Sequence, residues 1–509
     1  MDSGPDTLRE AAQAFAAGDH ATAICLFEQV VEATPEIAQV WHDLGQAYSG
    51  IGRLGEAADA FNTAAKLEPT FAAPCNSLGI LSKRAGNLNL AEEYYRQAIK
   101  RQPEYPEVYF NLGLLFESMG KLDLARQHYQ KAMAQRPDYT QAQNNFAVLL
   151  IQSREYDAAE VVLRQALSVS PGSSELLTSL GSCLRNAGRI KEAEEAYSAA
   201  IATRGDFSEA RWNLALIQLA TGNYSEGWKN YRYRPSADRV RHNMPVTELR
   251  EYLGGQEVIL EGEQGLGDEL FFLRFVPALM SRGATVSYNG DKRLSAMIDR
   301  TLPGLTAKVR HGSAFTLADL AYLLNATEEF VSLQILPREE RLREANQILH
   351  KAGPPPYTGL TFRAGLKGEG ALHKEVPLAK ISSLLRDIPG TLVNLQRNLN
   401  DDEQSLLEDQ ICCPVVNFSG YNDEIETMLA LMACLDDYIG VSNTNMHLRA
   451  AVQRPARVLV PHPPEYRWMD VGNSPWFPEF QVYRQAVDGS WESAFARLSS
   501  DLRNTHGRC

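Results

Sequence analysis

From about residue 4 to Gly205 the apolar positions follow the 3.6-residue period of amphipathic helices, grouped in pairs, and the paired pattern itself recurs. Prolines stand at 35, 69, 103, 137 and 171, 34 residues apart each time. One repeat reads Trp41, Leu44, Gly45, Tyr48, Gly52, Ala57, Phe61, Ala64, Pro69; two repeats on, Tyr109, Leu112, Gly113, Phe116, Gly120, Ala125, Tyr129, Ala132 and Pro137 take those places. Small residues recur where two helices must approach closely, and large ones fill the space between neighbours. This predicts six helical pairs and a seventh that opens at Ser208 and ends in GNYSEGWKNYRYR. From Arg234 to Leu253, through RPSADRVRHNMP, the period lapses and reads as a linker. Short apolar runs then predict strands at Glu257–Leu260, Ala284–Tyr288, Thr306–Arg310, Thr358–Phe362, Thr391–Leu395, Val415–Phe418, Asp437–Val441 and Arg457–Val460. Helical stretches such as Arg293–Arg300 and Glu339–Ala352 separate them, an alternation that predicts parallel sheets covered by helices. The KAGPPP stretch at Lys351–Pro356 divides this half in two.

A 34-residue period is that of the two-helix tetratricopeptide unit. The expected fold class is therefore α + α/β: a tetratricopeptide (TPR) α-solenoid over 1–235, a linker over 236–253, and two α/β lobes over 254–355 and 356–509. Stacked helical pairs form a superhelix whose concave face holds an extended protein or peptide. Before the Leu-Gly step of successive first helices stands a polar column, Asp43, Ser77, Asn111, Asn145, Ser179 and Asn213. Each member can hydrogen-bond a peptide backbone or simply face solvent. The column resembles the asparagine ladder of O-linked N-acetylglucosamine transferase, which makes Asn111, Asn145 and Asn213 candidate acceptor-binding residues.

Composition narrows the partners. A net charge of −13, from 50 Lys plus Arg against 63 Asp plus Glu, supplies no basic stripe for nucleic acid. The seven cysteines form no C-x-x-C pair and no metal-like cluster with histidine, as expected of reduced thiols in a cytoplasmic protein. No apolar run is long enough to span a bilayer, and the first residues lack a secretory pattern. A homodimer is as compatible with this composition as a monomer.

The stretch EGEQGLGDELFFLR runs from a strand into a turn with Gly265 and Gly267 and then a helix with Asp268 at its mouth. Glycines admit a ligand close to the backbone, and the helix dipole favours a carboxylate there. Asp268 is either a functional acid or only the N-cap. Three polar segments follow strands, where α/β sheets take ligands. FRAGLKGEGALHK offers Arg363, Lys367 and Lys374 to charged phosphates, or is a solvated basic loop. In DYIGVSNTNMHLRAAV a helix begins near Asn445, so that its amides with Asn443 and Thr444 form an anion site. His447, one turn in, either donates to a phosphate or satisfies the core. HPPEYRWMDVGNSPWFP offers Tyr466 and Trp468 as walls of a base or sugar pocket, with Trp476 and Phe477 as alternatives for the core.

With EQGLGDELFFLRFVP, HKEVP, GVSNTNMHLRAAV and VLVPHPPEYRW in this order behind the repeats, the chain resembles bacterial tetratricopeptide proteins with a glycosyltransferase-like carboxyl-terminal region. These are related to the heptosyltransferases and to O-linked N-acetylglucosamine transferase. The resemblance implies two Rossmann-like lobes of GT-B type, the first on the acceptor side and the second binding a nucleotide-diphosphate sugar, with no metal or cofactor. It makes Asp268 the catalytic base of an inverting enzyme, matches Lys374 to a phosphate-binding lysine, and matches His447 to the histidine of a D-T-x-x-x-H-L segment. Gly265, Gly267, Arg363, Lys367, Asn443, Thr444 and Asn445 complete the expected donor site. Two departures stand out: Ser442 replaces the aspartate after the strand, and the first lobe, about 100 residues, is short. The leading expectation is transfer of a sugar to a protein hydroxyl held by the repeats. The alternatives are a non-catalytic scaffold with a degenerate glycosyltransferase-like region, and a transferase whose acceptor is a glycan.

Overall fold

The structure, a computed structural model, describes residues 4–237, 256–305, 313–327, 332–364 and 374–506. Fourteen helices follow one another between Gly4 and Tyr231 and pack in pairs within each unit, among them Ala38–Gly50 with Leu54–Leu67 and Pro106–Ser118 with Leu122–Gln135. The second helices of the second, third and fourth pairs bury the same triplet one and two turns apart: Ala57, Phe61 and Ala64; Ala91, Tyr95 and Ala98; Ala125, Tyr129 and Ala132. A Cβ at Gly45, Gly79 or Gly113 would lie 2.6, 2.5 or 2.3 Å from the ring of Phe61, Tyr95 or Tyr129. Glycine there lets the first helix rest on the aromatic face of the second. In the next repeat Ala147 stands at the glycine position and Leu163 at the ring position, both fully buried. A small side chain is admitted where its large neighbour shrinks.

The chain divides into two compact units, Met1–Cys183 and Leu184–Cys509. The last helices of the array thus belong with the α/β part. The seventh pair closes with a short helix, Tyr224–Tyr231, whose Trp228 is buried among Tyr231, Phe272, Tyr466 and Trp476. Its indole N–H donates to the Ala326 carbonyl at 3.0 Å. Arg234 follows, fully buried, bonded to Glu263, Thr316 and, at 2.8 Å, Asp319. Arg234 is therefore an anchor in the core of this unit rather than the opening residue of a linker. Residues 238–253 of the expected linker and the expected strand Thr306–Arg310 lie outside the described residues.

Three parallel strands, β1 (Glu257–Glu261), β2 (Thr285–Asn289) and β3 (Ser313–Thr316), make the first sheet in the order β2-β1-β3. Next come β4 (Tyr357–Thr361), a small antiparallel pair β5 (Arg363–Ala364) and β6 (Lys374–Glu375), and then β7 (Thr391–Asn394), β8 (Val415–Asn417), β9 (Asp437–Val441), β10 (Ala456–Val460) and β11 (Phe480–Arg484). Apart from β5 and β6 these form a six-stranded parallel sheet, β11-β10-β9-β4-β7-β8. Counted from β4, that is the doubly wound order 3-2-1-4-5-6, which reverses between β4 and β9. All five residues of β4, β9 and β10 are buried, as central strands covered on both faces require. Successive residues serve different cores: Tyr438, Val458 and Val460 face one, Ile439, Leu459 and Val441 the other. The strand periods expected from sequence find β1, β2, β4 and β7 to β10; β3, SAFT, is too short and mixed to register, and β11 follows a Pro-rich stretch that reads as loop.

Candidate functional site at the strand ends

The helix after β1 starts one turn earlier than its apolar pattern suggests. It spans Leu266–Phe272 with Gly265 as N-cap, so Asp268 lies inside the first turn and is not the cap. Gly267 brings this helix onto Thr444–Ala451, the helix after β9: a Cβ there would lie 2.9 Å from the His447 ring and 3.5 Å from the Thr444 Cα. What Gly267 admits is therefore His447. The two sheets meet through the turns beyond their strand ends.

Asn443 caps the second of these helices, accepting from the Met446 amide at 3.1 Å, and its amide group donates to Thr361 at the end of β4 at 2.8 Å. This ties both sides of the switch point together. Thr444 is half-buried, and the buried Asn445 donates to Asn422 at 3.1 Å. His447 is buried against Phe271 and Phe477, and its Nδ1 has no partner among the described residues. Burial, reinforced by the Arg467 charge, holds its imidazole well below the ordinary pKa, so it is neutral.

Four charges alternate across this junction. The Asp268 carboxylate, 31% exposed, pairs with the buried Arg467; Arg467 also pairs with Glu465; and the other Glu465 oxygen accepts from Lys374 Nζ at 2.5 Å and from Ser442 Oγ at 3.0 Å. Lys374 also donates to the Ser442 carbonyl at 3.4 Å. Burial works to raise the Glu465 carboxyl, but Lys374 and Arg467 outweigh it and hold it far below the usual carboxylate range. Of the expected site residues, Asp268, Gly267, Lys374, Asn443, Thr444, Asn445 and His447 are thus gathered around one junction, with Gly265 opening the Asp268 helix. Arg363 is engaged elsewhere, in a two-pronged pair with Glu403 at 2.5 and 3.1 Å and with the Asn398 carbonyl at 3.1 Å. Lys367 lies outside the described residues.

The sequence reading passes over Glu465 and Arg467 in favour of the aromatics beside them. Tyr466 and Trp468 are buried, Tyr466 against Trp228 and Tyr231, Trp468 stacked on Phe477 at 4.8 Å. Both are core side chains, and the signal for Glu465 and Arg467 is the pair of opposite charges flanking Tyr466. In the array, Asn111 and Asn145 are half-buried on first helices, and Asn111 donates to Asn76 at 2.8 Å. Asn213 holds the same place in the seventh pair and is also half-buried. Among the described residues no group of three or more His, Cys, Asp or Glu is arranged to hold a metal, and no helix is long and apolar enough to cross a membrane.

Tetratricopeptide repeat families match residues 8–70 and 77–140, and 116–183 and 150–209. The amino-terminal array consists of tetratricopeptide repeats. Protein FlbA of Caulobacter vibrioides is 24% identical over 335 residues, a match covering 59% of this chain and 56% of that protein. The chain thus spans little more than half the length of this curated relative. Among solved structures, the tetratricopeptide protein YrrB, described with an unusual peptide-binding site, is 19% identical, with 36% of this chain and 95% of that chain covered and a TM-score of 0.31. A tetratricopeptide repeat protein from Parabacteroides merdae is 17% identical, with 48% and 95% covered and a TM-score of 0.39.

Proposed function

We propose that the chain is an inverting glycosyltransferase of GT-B type that moves a sugar from a nucleotide-diphosphate donor to a hydroxyl of a protein held by its tetratricopeptide array. The observation that carries this reading is the junction at the β4/β9 switch point, where Asp268, in the first turn of the helix after β1, is linked through Arg467 and Glu465 to Lys374 and Ser442 beside the Asn443-capped helix. Phosphates favour such a helix start and a nearby lysine, and a carboxylate facing them would take the proton of an acceptor hydroxyl. The charge that develops on the departing diphosphate is what the cations would stabilise. Calorimetric titration with nucleoside diphosphates and their sugars tests the donor half: one should bind, and Lys374→Ala should lose it. Asp268→Asn should then lower transfer by about two orders of magnitude or more with donor affinity kept. Unchanged turnover would remove Asp268 from the mechanism.

One observation favours a second reading, a scaffold without chemistry. Asp268, Lys374 and Arg363 each already have a side-chain partner of opposite charge. A scaffold would hold its protein partner with the same affinity whether or not nucleotide sugar is present. Sugar transfer over many turnovers by the full chain defeats it.

A further inference from the structure

Glu465 occupies the point on which the surrounding cations and donors converge. Lys374 Nζ, Ser442 Oγ and the Arg467 guanidinium all address its carboxylate, whose side chain is 12% exposed. Ser442 is the first residue beyond β9, so this point lies outside the carboxyl end of a switch-point strand, where a doubly wound sheet takes an anionic ligand. The surroundings are not fully satisfied by Glu465: Arg467 Nε and His447 Nδ1 are buried with no hydrogen-bond partner among the described residues. Both belong to residues with relative exposures of only 5%. On its far side Arg467 is neutralised by Asp268, so the local charge is balanced only while Glu465 stays in place.

We infer that Lys374, Ser442 and Arg467 form a seat for a diphosphate group, with Glu465 as a built-in anion that an incoming diphosphate must displace. A carboxylate and a phosphate oxygen accept from the same donors, so the exchange needs no rebuilding of the seat. Such an occupant keeps the cations paired and desolvated when no ligand is bound, and it sets a threshold: an anion with a single charge gains too little to replace it, whereas a diphosphate carries enough charge and enough oxygens to engage Lys374, Arg467 and the Asn443-capped helix start together. Glu465 is then a specificity-determining residue acting through its cations. The inference rests on the donor reading above for its biological meaning, but the seat can be tested alone.

The test is isothermal titration of the full chain with inorganic pyrophosphate and, in parallel, with inorganic phosphate and the nucleoside diphosphates. Glu465→Gln keeps the size and hydrogen-bonding reach of the side chain and removes its charge; it should bind pyrophosphate on the order of tenfold to a hundredfold tighter than the wild type. The gain should shrink at high salt and vanish in the double variant Glu465→Gln/Lys374→Ala. Glu465→Asp, which keeps the charge, should stay at wild-type affinity, and thermal unfolding of each variant checks that it is folded. Equal or weaker pyrophosphate binding by folded Glu465→Gln overturns the inference; if a nucleoside diphosphate still binds the wild type in the same series, the donor reading survives that result. Absence of binding by every ligand to every variant overturns both.

Discussion

The amino-terminal unit and the α/β unit are held together by different kinds of contact. In the repeats one small-against-large contact recurs, Gly45 on Phe61, Gly79 on Tyr95 and Gly113 on Tyr129, each between neighbouring helices. Its ion pairs, such as Arg126–Glu155 at 2.5 Å, lie at the surface with 35% and 42% exposure. In the α/β unit the long-range ion pairs are less exposed than these and occur once. Arg234 reaches Asp319 across 85 residues of sequence, Arg467 reaches Asp268 across 199, and Lys374 reaches Glu465 across 91. An array of local contacts tolerates change repeat by repeat. A unit that relies on single long-range pairs does not, because each charge removed from a partly desolvated pair leaves its partner uncompensated.

The largest expected effect breaks that comparison most directly. Arg234→Met would remove the buried cation that Glu263 and Asp319 share, at a cost of about 3–5 kcal/mol, read in urea denaturation by far-ultraviolet circular dichroism. Arg126→Met in the array should cost less than about 1 kcal/mol. Similar costs at both sites would show that the two units do not differ in this way.

Next in size is the repeat contact itself. Gly113→Ala sets a methyl 2.3 Å from the Tyr129 ring and should destabilise by about 1–3 kcal/mol. Adding Tyr129→Leu reproduces the Ala147 and Leu163 pairing of the next repeat, so a double-mutant cycle should show a favourable coupling of about 1 kcal/mol or more. Strict additivity would mean that the natural pairing is accidental.

These contrasts also explain what could be read from sequence. The array is legible because its main packing contacts recur at 34 residues, so prolines, glycines and Ala-aromatic-Ala triplets announce it several times. Most strands of the six-stranded sheet were legible because they are buried on both faces and read as apolar runs. At the junction, Asp268, Lys374 and Asn443 were found from local cues: a glycine turn, a basic residue after a strand, a helix start. Glu465 and Arg467 carry no such cue, since their partners are fixed by sheet topology, and the aromatics beside them give the stronger local pattern although they are core. Arg234 was lost for the same reason, being the first residue after the helical period ends.

The two units share a response to acid. In the array His128 stacks between Tyr109 and Phe116 at 6.0 and 5.2 Å; burial, then Lys131 and Arg96, push its pKa down to about 4. It is neutral in the folded chain and gains a proton near its ordinary pKa once unfolded. Its contribution is therefore complete above about pH 6.5 and is lost as pH falls toward its folded value, by on the order of 2 kcal/mol or less given partial exposure. His447 acts with the same sign in the α/β unit. Thermal midpoints between pH 7 and pH 4.5 should fall less steeply in His128→Gln than in the wild type. Parallel curves would assign the acid sensitivity of the array to its carboxylates.

The smallest effect concerns a departure within the array. The turns between paired helices place Gly18, Gly52, Gly86, Gly120, Gly188 and Gly222 in the left-handed region, with φ from +71° to +86°. The fifth turn has Arg154 there, at φ +61°. An L side chain in this conformation is strained by its Cβ, whereas glycine adopts it freely and closes the helix with the same backbone bonds. The amide of Arg154 donates to Ile151 and that of Glu155 to Leu150, the bonds seen at Gly120 and Lys121 one repeat earlier, so the turn itself needs no change. Arg154→Gly should stabilise the first unit by about 0.5–1 kcal/mol, the relief of strain exceeding the added freedom of the unfolded chain. A loss of stability instead would mean that the Arg154 side chain contributes more through its surroundings than its backbone strain costs, so that this repeat, like the α/β unit, depends on a contact that occurs once.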